Sequence, residues 1–211
     1  MGSEMCIRDR YIVAQIDNRR GNAALKAEKA ADALEHYSNG ATIFPEYIKN
    51  HYGKGLALKK LGRIEEALDV WKGILDNTQD RRTAPAATNA IRDHFNYQAS
   101  SAVSRSSPSA SDADRALAAL ARSTEYVDPN SDYYYYYSVA QLAKGNNAES
   151  VSAANQALAL HNGSRTDKAK IYYTMGEAYL RMSDTENAKA AFQNAAYGSY
   201  KPSAEHYLST L

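Results

Sequence analysis

The chain has 211 residues, 44% of them hydrophobic, which is enough for a sizeable folded core and too much for a disordered chain. Its net charge is +1 with both signs spread along the whole length, so it offers neither a basic stripe for nucleic acid nor an acidic tail. No run of about 18 apolar residues occurs to cross a membrane as a helix. The only cysteine, Cys6, can form no intramolecular disulfide.

Proline is sparse at 5, tyrosine abundant at 17, and alanine recurs in pairs such as Ala30-Ala31, Ala118-Ala119 and Ala190-Ala191. Alanine is the best helix former, so the chain reads as nearly all helix. Met1–Arg10 shows no helical period, no strand alternation and no signal-peptide core, and is set apart as a leader. Helices are expected at about 12–27, 30–43, 47–61, 64–77, 83–104, 112–126, 131–144, 147–161, 166–182 and 185–197, with a short one at 201–210. The Ser-rich run from Ser104 to Ser111 and the stretch His161–Asp167 read as loops on composition.

A repeat runs through these helices. Gly21-Asn-Ala-Ala-Leu-Lys-Ala opens one unit and Gly55-Leu-Ala-Leu-Lys-Lys-Leu another, 34 residues later. Twelve residues after each Gly stands Ala33 or Ala67, and sixteen after stands an aromatic, Tyr37 or Trp71. The same offsets return as Gly176, Ala188 and Phe192. Two antiparallel helices of about 14 residues with short turns need this period, and their axes can approach only where small side chains meet. Gly21 is therefore expected against Ala33, and Gly55 against Ala67, with the aromatic filling the space where the helices diverge. Two weaker units fill the middle: Ser138, Ser150 and Ala154 in one, Ala99, Ala116, Leu120 and Ser123 in the other.

This pattern resembles the tetratricopeptide repeat family, with Pro45 as the exit proline of the first unit. The resemblance implies an all-α, right-handed helical-repeat solenoid over residues 11–211. Its units fall at about 14–47, 48–81, 83–129, 130–163 and 169–202, followed by a capping helix at 203–211. The string at residues 3–10 resembles a translated sequencing adapter found at the starts of metagenomic proteins, which makes residues 1–10 a non-native leader. The stretch from Asp132 onward is similar to the close of such proteins in marine Bacteroidota, which implies a bacterial source and leaves cytoplasm or periplasm open.

No catalytic constellation is present in the sequence. His36, His51, His94, His161 and His206 lie too far apart for a local metal pair, and no cysteine stands with them. No phosphate-cradling glycine cluster and no G-x-S-x-G elbow occur, and Glu65-Glu66 merely starts a helix. No cofactor is expected. In the run Tyr133–Tyr137, Tyr134 and Tyr137 share a helical face and are expected inside the unit, with Tyr133, Tyr135 and Tyr136 pointing elsewhere.

The resemblance implies a concave face lined from the first helix of each unit. Carried over, it gives Gln15, Asn18, Asn22 and Leu25, then Lys49, Tyr52, Leu56 and Lys59. Asp93, Asn96, Ser100 and Val103 follow, then Asp132, Tyr135, Val139 and Leu142, then Lys170, Tyr173, Glu177 and Leu180. The residues expected to carry peptide or partner binding are Asn22, Lys49, Tyr52, Leu56, Tyr135, Val139, Tyr173 and Glu177. The clamp by which some relatives hold a chaperone's C-terminal carboxylate maps to Asn18, Asn22, Gly53, Asp93 and Tyr97. Only Asn22 matches and Asp93 would repel, so a clamp of that type is excluded. The implied function is a non-catalytic scaffold for a protein or peptide partner, with no nucleic acid. The alternatives are a targeting or regulatory part of a longer protein, or a structural piece of a bacterial envelope assembly.

Overall fold

The structure, a computed structural model, describes residues 6–77, 80–104 and 107–211. Met1–Met5 of the expected leader, and Arg105 and Ser106 of the expected loop, lie outside them. The helices are α1 (Ile7–Lys26), α2 (Ala30–Ile43), α3 (Ile48–Lys60), α4 (Ile64–Asn77), α5 (Thr83–Val103) and α6 (Ala110–Ser123). They continue as α7 (Ser131–Ala143), α8 (Asn147–Ala159), α9 (Arg165–Arg181), α10 (Thr185–Ala195) and, after a 3-10 turn at Gly198–Tyr200, α11 (Lys201–Thr210). The fold is an all-α helical repeat, as the sequence implied. The largest boundary difference is at α1, which starts at Ile7 rather than 12, with Ile7–Arg10 as an exposed first turn. Helix α6 runs 110–123 instead of 112–126, because Ser109 and Asp112 form a reciprocal capping box that starts the helix earlier.

Four of the helix pairs close on the same turn. Glu28, Gly62, Gly145 and Ser183 each adopt positive φ, between 60° and 81°, directly after the first helix of a pair. The following amides of Lys29, Arg63, Asn146 and Asp184 each donate back to a carbonyl five residues earlier at 2.9 Å. This is the Schellman arrangement, which satisfies the last carbonyls of a helix and favours glycine at the left-handed residue. Glu28 and Ser183 hold that conformation without being glycine and so carry strain. Glu28→Gly and Ser183→Gly should each stabilise the fold by up to about 1 kcal/mol, read as a raised urea midpoint. Gly62→Ala should move the midpoint the other way.

The helices form two compact units, residues 1–92 and 93–211. In the first, α1 packs on α2, α2 on α3 and α3 on α4. The glycines do not simply face the alanines, as expected; each lies under an aromatic ring. A Cβ added at Gly21 would come within 2.7 Å of the Tyr37 ring, and one at Gly53 would strike the same ring. Tyr37, fully buried, thus lies between glycines of α1 and α3. A Cβ at Gly55 would collide with Trp71 in the same way. The glycine's missing side chain is the seat for the ring, which is why the two residues recur sixteen apart. Ala33 and Ala67 are fully buried alongside.

Polar groups bind this first unit together as well. Fully buried Asn50 of α3 donates from Nδ2 to the Ala14 carbonyl of α1 at 3.0 Å, and its Oδ1 accepts from Asn18 at 3.0 Å. Asn22 donates to Asn18 at 3.2 Å and accepts from the Tyr37 hydroxyl at 2.8 Å. Burial pushes that hydroxyl up to about 12. Asn50 also fills the space over Gly40, where a Cβ would meet its amide. Three helices are joined through one chain of amides.

In the second unit α6 packs on α7, and α7 through α11 pack in succession. The glycine–aromatic seat returns at Gly176, where a Cβ would lie 2.8 Å from the Phe192 ring. In the α7–α8 pair the equivalent contact is made by serines. Ser138 Oγ donates to the Ser150 carbonyl at 2.8 Å, the two hydroxyls are 3.0 Å apart, and both residues are fully buried. A hydroxyl is tolerated at this crossing because the neighbouring helix supplies its acceptor. Ala99, Ala116 and Leu120 share one cluster with Ala140.

The tyrosine run divides differently from its expected pattern. All five rings are half-buried, so Tyr134 and Tyr137 are not a separate interior pair. Tyr133, Tyr136 and Tyr137 pack on the cluster of α5, α6 and α7 residues. Tyr134 and Tyr135 pack on the cluster holding Ala154, Ala157 and Ile171. Ala154 stands where other pairs have an aromatic, and these α7 rings cover the cluster to which it belongs. Helix α7 is wedged between two helix pairs, so residues on both of its flanks are covered.

Candidate functional site

Within the second unit a groove of about 490 Å³ opens over α7 and α9. Helix α7 contributes Tyr135, Val139, Leu142 and Ala143; α9 contributes Tyr173, Thr174, Glu177 and Arg181. The four-residue steps 135–139 and 173–177 put each pair one turn apart on one helical face. Val103 at the end of α5, with Ser107 and Pro108 beyond it, forms one rim, and Tyr200 another. The structure thus brings together Tyr135, Val139, Tyr173 and Glu177, four of the residues singled out from sequence, with Leu142 and Val103.

The groove carries two charged groups, Glu177 and Arg181, among several hydroxyls. Arg181 donates from Nη1 to the Leu142 carbonyl at 2.7 Å, satisfying the end of α7. Burial raises the Glu177 carboxyl above the ordinary glutamate range, and Arg181 only partly opposes it. Burial likewise raises the Tyr135 hydroxyl, with Tyr200 bonded beside it. It takes Tyr173 to about 12, reinforced by the Glu177 charge. Tyr173 also ties α9 to the end of the chain, its ring 5.7 Å from Phe192, 5.3 Å from Tyr200 and 6.1 Å from Tyr207. Lys170 sits 4.6 Å from the Tyr135 ring centre and pairs with Asp132 at 3.4 Å.

Glu177 gives a pH signature with a definite sign. A carboxyl raised by folding holds its proton more tightly in the folded state, so its ionisation weakens the fold as pH rises above the unfolded value. In carbon-detected NMR the Glu177 titration midpoint should lie above 4.5, the ordinary value. Glu177→Gln should remove the corresponding fall in stability through that window. A midpoint at or below 4.5 would contradict the burial described.

Other expected positions fall elsewhere. Leu180 packs on the cluster of Phe192, Ala195 and Ala204 rather than lining the groove, because α10 and α11 cover that flank of α9. In the first unit Lys49 and Asn22 are exposed, and Tyr52 and Leu56 are half-buried. The Asn22 amide is already engaged with Tyr37 and Asn18. The Tyr52 ring lies 6.5 Å from Trp71, whose indole donates to the Tyr52 carbonyl at 3.4 Å. Sequence reasoning missed Thr174, Arg181 and Tyr200. Arg181 could have been found, being one turn beyond Glu177; Tyr200 carries no local signal, since only the return of the chain after α10 delivers it.

Residues 109–165, which span α6, α7 and α8, match the tetratricopeptide repeat family model. Residues 109–165 thus carry a tetratricopeptide repeat. Outside the matched span, the pairs α1–α2, α3–α4 and α9–α10 close on the same left-handed turn as α7–α8. No curated protein matches. Among solved structures the repeat protein is similar to MamA from Desulfovibrio magneticus RS-1, at 16% identity and TM-score 0.46, covering 86% of this chain and 92% of that one. It is similar to a thermophilic tetratricopeptide repeat protein of Thermus thermophilus at 17% identity and TM-score 0.40, covering 93% and 97%. YrrB, a tetratricopeptide repeat protein with an unusual peptide-binding site, matches at 15% identity and TM-score 0.43 over 90% and 87%. These likenesses are too distant to carry a function across. Among the described residues, no helix is long and apolar enough to cross a membrane.

Proposed function

We propose that this repeat protein is a non-catalytic interaction scaffold, working without a cofactor, whose α7–α9 groove takes an extended segment of a partner protein. The observation that carries this reading is the groove's composition: three tyrosines and four aliphatic side chains around one carboxylate and one guanidinium. Such rings give apolar area plus a hydroxyl at low entropic cost, the mixture found in protein interfaces. Lys49, Tyr52 and Leu56 of the first unit add a second contact strip to the proposal, together with exposed Asn22. The clamp for a chaperone tail has no counterpart in this reading.

The test is selection from a displayed library of random peptides, followed by calorimetry on the enriched sequences. Binding energy concentrates in a few central aromatics, so Tyr135→Ala and Tyr173→Ala should each weaken an enriched peptide by about 1–3 kcal/mol. Tyr135→Ala should also lower the melting temperature, because its ring packs on the cluster of Ala154, Ala157 and Ile171, so binding is measured well below the transition. Tyr173→Ala should lower it as well, because its ring also packs on Phe192. Enriched peptides indifferent to both changes would place binding elsewhere.

A further inference from the structure

A second concavity lies on another side of α7, away from the groove. It is a trough of about 260 Å³ between α7 and α8. Helix α7 supplies Tyr133, Tyr134 and Tyr137, and Pro129 closes the end before it. Helix α8 supplies Glu149, Ser152, Ala153 and Gln156. Those four positions step by three, one and three, which is one continuous helical face.

The middle of that face is small, Ser152 and nearly buried Ala153, and its ends are polar. Large side chains there would fill the space between the helices; these leave it open. The rings are set in a mutual scaffold: Tyr133 and Tyr137 are near parallel at 6.2 Å, and Tyr134 stands edge-on to Tyr133 at 5.2 Å. Burial, aided by the two neighbouring hydroxyls, raises the Tyr133 hydroxyl, so it stays neutral. All three rings are only half-buried, and they line the trough instead of closing it. Glu149 is the one charged side chain in the lining, and no basic residue accompanies it.

Tyrosine rings and a carboxylate, in a lining that holds no basic residue, favour a cation over an anion. We infer that the trough is a binding site for a single ammonium group, the side chain of a lysine, bare or methylated, on a partner protein. Charge complementarity selects this occupant. An apolar side chain would leave Glu149 unused, and an acidic one would be opposed by both it and the rings. The site is separate from the peptide groove and does not depend on that reading.

The test uses the intact chain with carbon-labelled tyrosine rings. The probes are acetyl-trimethyllysine amide, acetyl-lysine amide and the neutral analogue of the first, in which carbon replaces the ammonium nitrogen. The charged probes should shift the Tyr133, Tyr134 and Tyr137 resonances saturably, and the neutral analogue should bind about fivefold more weakly or worse. Glu149→Gln, at an exposed position, should keep the melting temperature and weaken the charged probes about fivefold while sparing the neutral one. Tyr137→Phe should bind like the parent, and Tyr137→Leu should lose most of the affinity. Equal binding of the neutral analogue would overturn the inference and leave an apolar slot. So would preferential binding of a proline-rich peptide, or charged probes that leave the three tyrosines unshifted up to the solubility limit.

Discussion

Trp71→Ala should destabilise the first unit by about 3–5 kcal/mol, among the largest losses available to a single substitution in this chain. The indole is 1% exposed, the largest fully buried side chain among the described residues, and it occupies the seat left by Gly55. Removing it empties space on both helices of the pair at once. The stronger test is the reversal of sign at Gly55. In the parent protein Gly55→Ala should cost about 1–3 kcal/mol, because the new Cβ collides with the indole. In the Trp71→Ala background the same change should be neutral or stabilising, since alanine exceeds glycine in helix propensity by about 0.8–1 kcal/mol. Urea unfolding of the four proteins gives the cycle. Additive losses would mean that the ring and the glycine are not coupled, and the sixteen-residue spacing would lose its physical explanation.

Asn50→Ala should cost about 2–4 kcal/mol, although it deletes only a polar side chain. Asn50 is fully buried, bonds to the Ala14 carbonyl and to Asn18, and fills the gap over Gly40. Its removal takes away two hydrogen bonds, the second one to the Ala14 carbonyl beside its helical bond and the one from Asn18, and it opens a gap over Gly40. Asn50→Leu, close in size, should not fully rescue it, because leucine can neither donate to the Ala14 carbonyl nor accept from Asn18. Asn18→Ala alone should cost much less, its amide being partly solvated. With Asn50 already replaced, Asn18→Ala should be close to neutral, which makes the pair strongly non-additive. A leucine at 50 that melts like the parent would show that the site needs volume and not polarity.

The glycine seats and the asparagine hub differ in how far they could be read from the chain alone. Gly21 with Tyr37, Gly55 with Trp71 and Gly176 with Phe192 share one offset, and local periodicity also marks the helices on which they lie. The hairpin order, the alanine-rich crossings and the turns at Gly62 and Gly145 follow from residues within one repeat length. The positions Tyr135, Val139, Tyr173 and Glu177 came from the family resemblance, whose register assigns them to one face, and they line one groove in the structure. The hairpin features depend on contacts within one pair, where helix geometry converts spacing directly into direction.

Tertiary structure decided whatever joins one pair to the next. Asn50 gave no sign of being a hub: an asparagine in a helix is as easily a surface residue, and only the approach of α1 to α3 supplies its partners. The five tyrosines could not be sorted by period, because α7 has neighbours on both flanks and each flank takes its own rings. Leu180 left the expected lining because α10 and α11 cover it, and Tyr200 entered because a 3-10 turn carries the chain back beside α9. The trough is open because Ser152 and Ala153 meet Tyr133 and Tyr137 across a helix pair. A sequence states the size of each of these side chains; the packing of one helix against another decides which sizes add up to a core and which leave a space.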